Sequence, residues 1–263
     1  LEGNLEVAAR KITEAAALVQ AEIPDYVRQE VVAQQVCVYL AQNRPTSARM
    51  ALQGQGFSFE DGFAFPVFPL DQGVSHSLGL LANSSLRFLL YQAQTRGKLT
   101  GLEPGIDLAS RLIEGAHQSQ STVVVLEALL LRAQMHAALG DHRASQSDYL
   151  SALELAEPEG FIGIFIEQGQ PIAEALANLA RQNQLGTIQP GYVERILAAF
   201  SDSSSPGDMH DEEVVPELLA GSEPLALIDP LTDRELEVLG LMAEGLKYKE
   251  IAARLVVSLN TVR

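Results

Sequence analysis

The side chains whose types could support catalysis or metal binding do not combine into a site in this sequence. The histidines lack metal-ligand spacing with cysteine or acidic residues (His76, His117, His136, His142 and His210). Ser75-His76-Ser77 lacks the turn that exposes a serine nucleophile. Gly97-Lys98-Leu99-Thr100 lacks the upstream glycine and the spacing of a phosphate-binding loop. The sequence therefore predicts no enzyme, no cofactor and no metal.

The single cysteine and the most apolar stretch bear on the compartment. Cys37 lies between two valines, which favours a buried structural thiol over a nucleophile. One cysteine permits no intrachain disulfide, as is typical of a reducing compartment. The apolar stretch Val123–Leu131 contains Glu127 and precedes Arg132, so it is too short and too charged to span a bilayer. No signal peptide is visible. We expect a cytoplasmic protein with no membrane partner.

The charge of the chain restricts where it can contact nucleic acid. The 18 basic and 34 acidic residues give a net charge of −16. A surface this acidic repels phosphates, so any contact with DNA needs a local basic element. Residues 231–263 contain five basic and five acidic residues, and residues 1–230 therefore carry the whole net charge of −16.

The same C-terminal segment has a helix-turn-helix pattern. Thr232 is followed three residues later by Glu235, the spacing of a capping box at a helix start. Gly245 ends this helix, Lys249–Leu255 forms a short second one, and Ser258 is placed to cap a third. A short helix, a tight turn and another helix can place a helix N-terminus in the major groove of DNA.

The segment LTDRELEVLGLMAEGLKYKEIAARLVVSLNTVR closely resembles the LuxR-type helix-turn-helix over 33 residues. The positions that match the family pattern are Leu231, Thr232, Arg234, Glu235, Glu237, Val238, Leu239, Gly245, Lys249, Glu250, Ile251, Ala252, Leu255, Ser258, Thr261 and Val262. The resemblance implies a DNA-binding regulator of transcription, with DNA and RNA polymerase as partners and a homo-oligomer left open.

The resemblance also implies which side chains contact DNA. Arg263 stands where the family has a lysine or arginine and is the best candidate for a base or groove contact. Thr261, Lys249 and Tyr248 are candidates for phosphate contacts. The full set of expected DNA-binding residues is Lys247, Tyr248, Lys249, Ser258, Asn260, Thr261 and Arg263.

Two features depart from the family pattern. The family commonly has a small polar pair before Lys249, where this chain has Lys247-Tyr248, and losing a Ser or Asn helix cap typically costs about 1 kcal/mol. The pattern also stops at Arg263, inside the third helix. Because the chain opens at Leu1 without an initiator methionine, we expect a C-terminal piece of a larger protein whose recognition helix is cut short.

Residues 1–200 are predicted to form helix pairs. Apolar residues recur with helical spacing, as in Leu5, Ala9 and Ile12. In the second helix they form a stripe at Val27, Val31 and Val38. Helices are expected over 5–19, 27–38, 46–52, 78–93, 106–116, 123–139, 143–156, 171–182 and 191–200, whereas the apolar run 161–166 stays unassigned. Paired helices in units of roughly 35 to 45 residues indicate an α-solenoid.

A glycine- and phenylalanine-rich segment interrupts the helices at 53–73 and is predicted to be a long ordered loop. Its phenylalanines are expected to pack against neighbouring helices, with a role in lining a binding site as the alternative. The segment from Leu139-Gly140-Asp141 to Pro158 is similar to the second half of a tetratricopeptide repeat. The run LELAEPEG, continuing to GFIGIFIEQGQPIAEAL, looks like the repeat arm of the large ATP-binding LuxR-family regulators related to the maltose-regulon activator. That resemblance implies an ATPase module upstream in the parent protein.

The predicted fold is all-α, a tetratricopeptide-like superhelix of antiparallel helix pairs, a linker and an incomplete helix-turn-helix. The three domains are a helical sensor domain at 1–200, an acidic linker at 201–230 and the DNA-binding segment at 231–263. The linker contains eight acidic residues and no lysine or arginine. The sensor domain is expected to bind a small-molecule or protein effector. The alternative function is a protein–protein scaffold of helical repeats without DNA binding. An enzyme domain is a third option and would need a site that the sequence does not show.

Overall fold

The computed structural model describes residues 2–18, 24–60, 62–66 and 73–204. These residues form ten helices, and the only β-pairing among them is one bridge between Ser58 and Ala64. The all-α prediction is therefore confirmed. The helices are α1 Glu2–Leu18, α2 Asp25–Ala41, α3 Pro45–Gln53, α4 His76–Arg96, α5 Leu102–Gln118, α6 Thr122–Ala138, α7 His142–Ala156, α8 Gly163–Ile166, α9 Gln170–Arg181 and α10 Pro190–Ser204.

Local signals in the sequence set several of these helix ends. The Ser75 side chain accepts a hydrogen bond of 3.3 Å from the Leu78 amide at the start of α4. Asp141 accepts one of 3.0 Å from Ala144 at the start of α7. Gly97 ends α4 in the left-handed conformation, with φ 63°, which glycine adopts without steric cost. Serine, aspartate and glycine thus stand where helix ends need them.

The larger helices pack in two layers. Helix α4 lies between α2 and α6, and α3, α5 and α7 pack against this layer. Helices α4 and α6 come close where α4 has a glycine. A β-carbon on Gly79 of α4 would lie 2.6 Å from both γ-carbons of Val124 on α6. Glycine is needed there because any side chain would push the two helices apart.

The α6–α7 contact contains a charged pair. Arg132 donates from Nε to Oδ2 of Asp148 over 2.8 Å and from Nη2 to Oδ1 over 2.6 Å. Its Nη1 donates to Oγ of Ser110 on α5 over 2.9 Å. This side chain therefore ties three helices together, and its bidentate geometry fixes their relative orientation.

The phenylalanines of the loop that the structure describes pack in the core as predicted, whereas Phe68 lies outside the described residues. Phe57, Phe59 and Phe63 are buried, and the ring of Phe59 meets Phe88 of α4 edge-on at 4.8 Å between centroids. None of the three lines the cavity between α2, α4 and α6. Their role is to fill the core beside α4.

Two helical expectations need correction or completion. The predicted stripe of α2 is wrong, because Val27, Val31 and Val38 are only half-buried whereas Val32 and Val36 enter the core. Helix α2 contacts α1, α3 and α4, so several of its faces are partly covered and periodicity alone misplaces the core face. The unassigned run 161–166 contains the short helix α8, anchored by a fully buried Phe165.

Contacts along the chain divide it after Pro206, and all the described helices belong to the unit Leu1–Pro206. In the part of the chain that the structure describes, no helix has the length and apolar character needed to cross a membrane. The predicted linker beyond Ser204 and the predicted DNA-binding segment lie outside the described residues.

Candidate functional site

Helices α2, α4 and α6 and the segment Phe161–Pro171 line a cavity of about 920 Å³. This volume lies at the upper end of the range of roughly 300 to 1,000 Å³ that is usual for small-molecule sites. The segment includes α8 and leads into α9, so one wall of the cavity comes from a stretch with little regular structure. The cavity is large enough for an effector molecule.

Helical spacing places the lining side chains. On α4 they recur every three or four residues, which puts them on one face of the helix. The same holds on α6. The α4 lining residues are Leu80, Ser84, Arg87, Leu90, Tyr91 and Gln94, and the α6 lining residues are Val123, Glu127, Leu131 and Gln134. Helix α2 adds Ala33, Gln34, Cys37 and Leu40.

An ion pair between α4 and α6 forms the polar centre of the cavity wall. Arg87 donates to Oε1 of Glu127 from Nε over 2.8 Å and from Nη2 over 2.6 Å. The other carboxylate oxygen, Oε2, accepts a hydrogen bond of 2.9 Å from Nδ2 of Asn83. Both oxygens of Glu127 are therefore engaged. A mostly buried pair of this kind is costly to break, because removing one partner leaves the other charged and desolvated.

The pair also sets the electrostatics of the cavity. Burial of the guanidinium is the largest single influence and lowers the pKa of Arg87, but the attraction of Glu127, Cys37 and Glu167 together outweighs it, so the pKa is raised. The Nη1 atom of Arg87 donates a long bond of 3.5 Å to the backbone oxygen of Glu167. Arg87 thus links α4 to α6 and to the segment that closes the cavity.

Cys37 lies on the α2 wall of the cavity and is half-buried rather than fully buried as predicted. Desolvation raises the pKa of its thiol, while the charge of Arg87 lowers it by a smaller amount. The thiol is therefore protonated at neutral pH, and a protonated thiol is a poor nucleophile. That Cys37 is a structural thiol and not a nucleophile stays a prediction.

Two side chains of the closing segment keep unused hydrogen-bonding capacity. The side-chain nitrogen Nε2 of Gln168 is buried and has no hydrogen-bond partner among the described residues. Glu167 is exposed at the mouth, and among the described residues its carboxylate has no hydrogen bond or ion pair. Such groups are available to a bound molecule.

The expected DNA-binding residues Lys247, Tyr248, Lys249, Ser258, Asn260, Thr261 and Arg263 all lie outside the described residues. The structure shows a candidate site among helices α1–α10, the helical arm, that the sequence did not identify.

A helical arm followed along the chain by a helix-turn-helix pattern defines a class of protein, the DNA-binding regulators. Residues 229–263 match the family model described as "GerE: Bacterial regulatory proteins, luxR family". This match supports a LuxR-type regulator of transcription with DNA as a partner. No solved structure matches the chain.

Proposed function

We propose that this LuxR-type regulator senses an effector through its helical arm and that the cavity between α2, α4 and α6 is the effector site. The supporting observation is that one cavity is lined by three core helices and by the segment Phe161–Pro171 at once. A molecule bound there contacts elements that are distant in sequence. Its binding energy can therefore favour one arrangement of these elements over another.

The output of the arm is DNA binding by residues 231–263. Arg263 reads a base or the groove, and Lys249, Tyr248 and Thr261 position the segment on phosphates. The protein acts in the cytoplasm together with RNA polymerase. The finer relation to the ATP-binding regulators related to the maltose-regulon activator, including tetratricopeptide-like repeats, is part of this proposal.

The proposed DNA-binding role is tested with the protein encoded by the complete reading frame that contains residues 1–263. Genomic fragments selected by the protein are titrated at several salt concentrations with the wild type, Lys249→Ala and Arg263→Ala. Loss of a phosphate contact should weaken binding to all fragments and lower the salt slope by about one. Loss of a base contact should cost about 1–3 kcal/mol and relax the sequence preference.

Lys98→Ala is the matched control, because Lys98 is an exposed lysine in the turn between α4 and α5. It should leave DNA affinity unchanged. Equal binding by the wild type and both C-terminal variants would contradict the proposed contacts. Absence of any DNA binding would favour the protein–protein scaffold.

A further inference from the structure

The charges that line the cavity leave one unpaired group, and it is negative. Arg87 is the only cationic side chain among the lining residues, all of which the structure describes, and it is neutralised by Glu127. The carboxylate of Glu167 remains at the mouth without an ion pair among the described residues. The charge of Glu167 acts on the interior, since it raises the pKa of both Cys37 and Arg87.

The arm around the cavity strengthens this preference. Residues 1–200 contain 13 basic and 21 acidic side chains. Their summed field raises the local concentration of cations and lowers that of anions near the mouth. A carboxylate or phosphate entering the cavity would meet no free positive charge, and burying an unpaired charge is costly.

The remaining walls suit the apolar body of a ligand. Leucine, isoleucine, valine and proline side chains from all four walls face one volume, namely Leu40, Leu80, Leu90, Leu131, Ile164, Val123 and Pro171. The rings of Tyr91 and Phe161 line the same volume, and aromatic faces attract organic cations. The buried and unpartnered Gln168 amide adds a hydrogen-bond donor for an oxygen atom on the ligand.

We propose that the cavity binds an organic cation with an apolar body, an amine or quaternary ammonium compound, and excludes anions of the same shape. The cationic head lies near the carboxylate of Glu167, and the body packs against the apolar walls. This inference rests on the proposed sensing role of the arm and names the chemical class of its effector.

The test uses the 263-residue chain and a matched set of probes, n-octylammonium, n-octanol and n-octanoate, with phenethylammonium and phenethyl alcohol as a second set. Isothermal titration should show binding of both ammonium compounds, weaker binding of the alcohols and none of octanoate. Salt should weaken the ammonium complexes and leave the alcohol complexes unchanged, because screening acts only on the charged contact.

Glu167→Gln should weaken ammonium binding about fivefold, the upper end for an exposed ion pair, and should not weaken alcohol binding. Glu174→Gln is the matched control, since Glu174 is an exposed glutamate of α9 outside the cavity lining, and it should change neither. Gly163→Trp should block all the probes. A β-carbon on Gly163 meets no atom within 4 Å, so this lining position has open space where the side chain would begin.

Three results would overturn the proposal. If octanoate bound as tightly as octylammonium, the cavity would not prefer cations over anions. If Glu167→Gln and Glu174→Gln changed ammonium binding equally, Glu167 would have no specific role in binding the cation. Failure of every probe to bind would exclude the ligand class. Because DNA affinity is measured separately, each of these results would leave the proposed regulator role standing.

Discussion

The guanidinium of Arg87 lies 2.6 Å from the carboxylate of Glu127 and joins α4 to α6 on the wall of the cavity. Only 19% of the Arg87 side chain and 11% of the Glu127 side chain are exposed, so the pair is largely removed from water. It therefore serves two purposes. It holds the helices that form the cavity, and it cancels the only positive charge on the lining.

Breaking this pair should destabilise the arm. Glu127→Gln leaves the guanidinium buried without its counter-charge, and the free energy of unfolding should fall by about 3–5 kcal/mol. Replacing both partners by apolar residues of similar size, Arg87→Met with Glu127→Leu, should lower the free energy of unfolding less than Arg87→Met or Glu127→Leu alone. Urea unfolding followed by circular dichroism measures both. Glu14→Gln in the exposed Lys11–Glu14 pair is the control and should cost less than about 1 kcal/mol.

Alanine substitutions at two glycines should have opposite effects on stability, because one glycine lies in a close helix contact and the other faces open space. Gly79→Ala puts a methyl group 2.6 Å from the γ-carbons of the buried Val124, and overpacking of this kind costs about 1–3 kcal/mol. Gly191→Ala meets no atom within 4 Å in α10 and should stabilise by about 0.4–1 kcal/mol. Thermal melting compares the two. A stable Gly79→Ala variant would show that α4 and α6 are not in close contact.

The arm should lose stability in alkali because two tyrosines are buried. Burial raises the pKa of Tyr192 to about 12 and that of Tyr149 still further, whereas unfolding returns both to their ordinary values. Above pH 10 the native state then holds more protons than the unfolded state. The free energy of unfolding that the chain has below pH 10 therefore decreases as the pH rises further. Urea midpoints measured across alkaline pH should fall less steeply for Tyr149→Phe than for the wild type. An unchanged slope would show that tyrosine ionisation does not cause it.

Cys37 should react slowly with alkylating agents. Desolvation raises the pKa of its thiol, so the reactive thiolate is scarce near neutral pH. Iodoacetamide labelling of the native chain should therefore be slower than that of the urea-unfolded chain and should accelerate as pH increases. Equal rates in the two states would contradict the burial of this thiol.

The predicted linker should be the first site of proteolysis. Residues 201–230 contain no lysine or arginine, so trypsin has no site there, whereas subtilisin cuts with little sequence preference. Subtilisin should release a stable core that ends close to the end of α10, at Ser204. Mass spectrometry locates the cut. First cuts between residues 75 and 200 would contradict the predicted domain boundary.

The sequence predicted most helices well because their apolar residues recur with helical spacing, and the expected ranges 123–139 and 143–156 lie within one residue of α6 and α7 at each end. It did not predict the cavity. Arg87 and Glu127 lie 40 positions apart, and nothing local shows that they meet. A signal was nevertheless present. Glu127 interrupts the most apolar stretch of the chain, and a charge in such a place needs a partner or a function. The sequence alone shows that Glu127 excludes a membrane span, but it does not show which residue is its partner.

The most direct test of the effector site is a thermal-shift screen of the chain and of Gly163→Trp with cationic, neutral and anionic metabolites. A ligand at 100 times its dissociation constant should add about 2.7 kcal/mol of stability, which corresponds to a rise of a few degrees in Tm. We expect hits among the cations that raise the Tm of the wild type and leave that of Gly163→Trp unchanged. Hits that shift both proteins equally would place the effector site elsewhere and contradict the proposed role of the cavity.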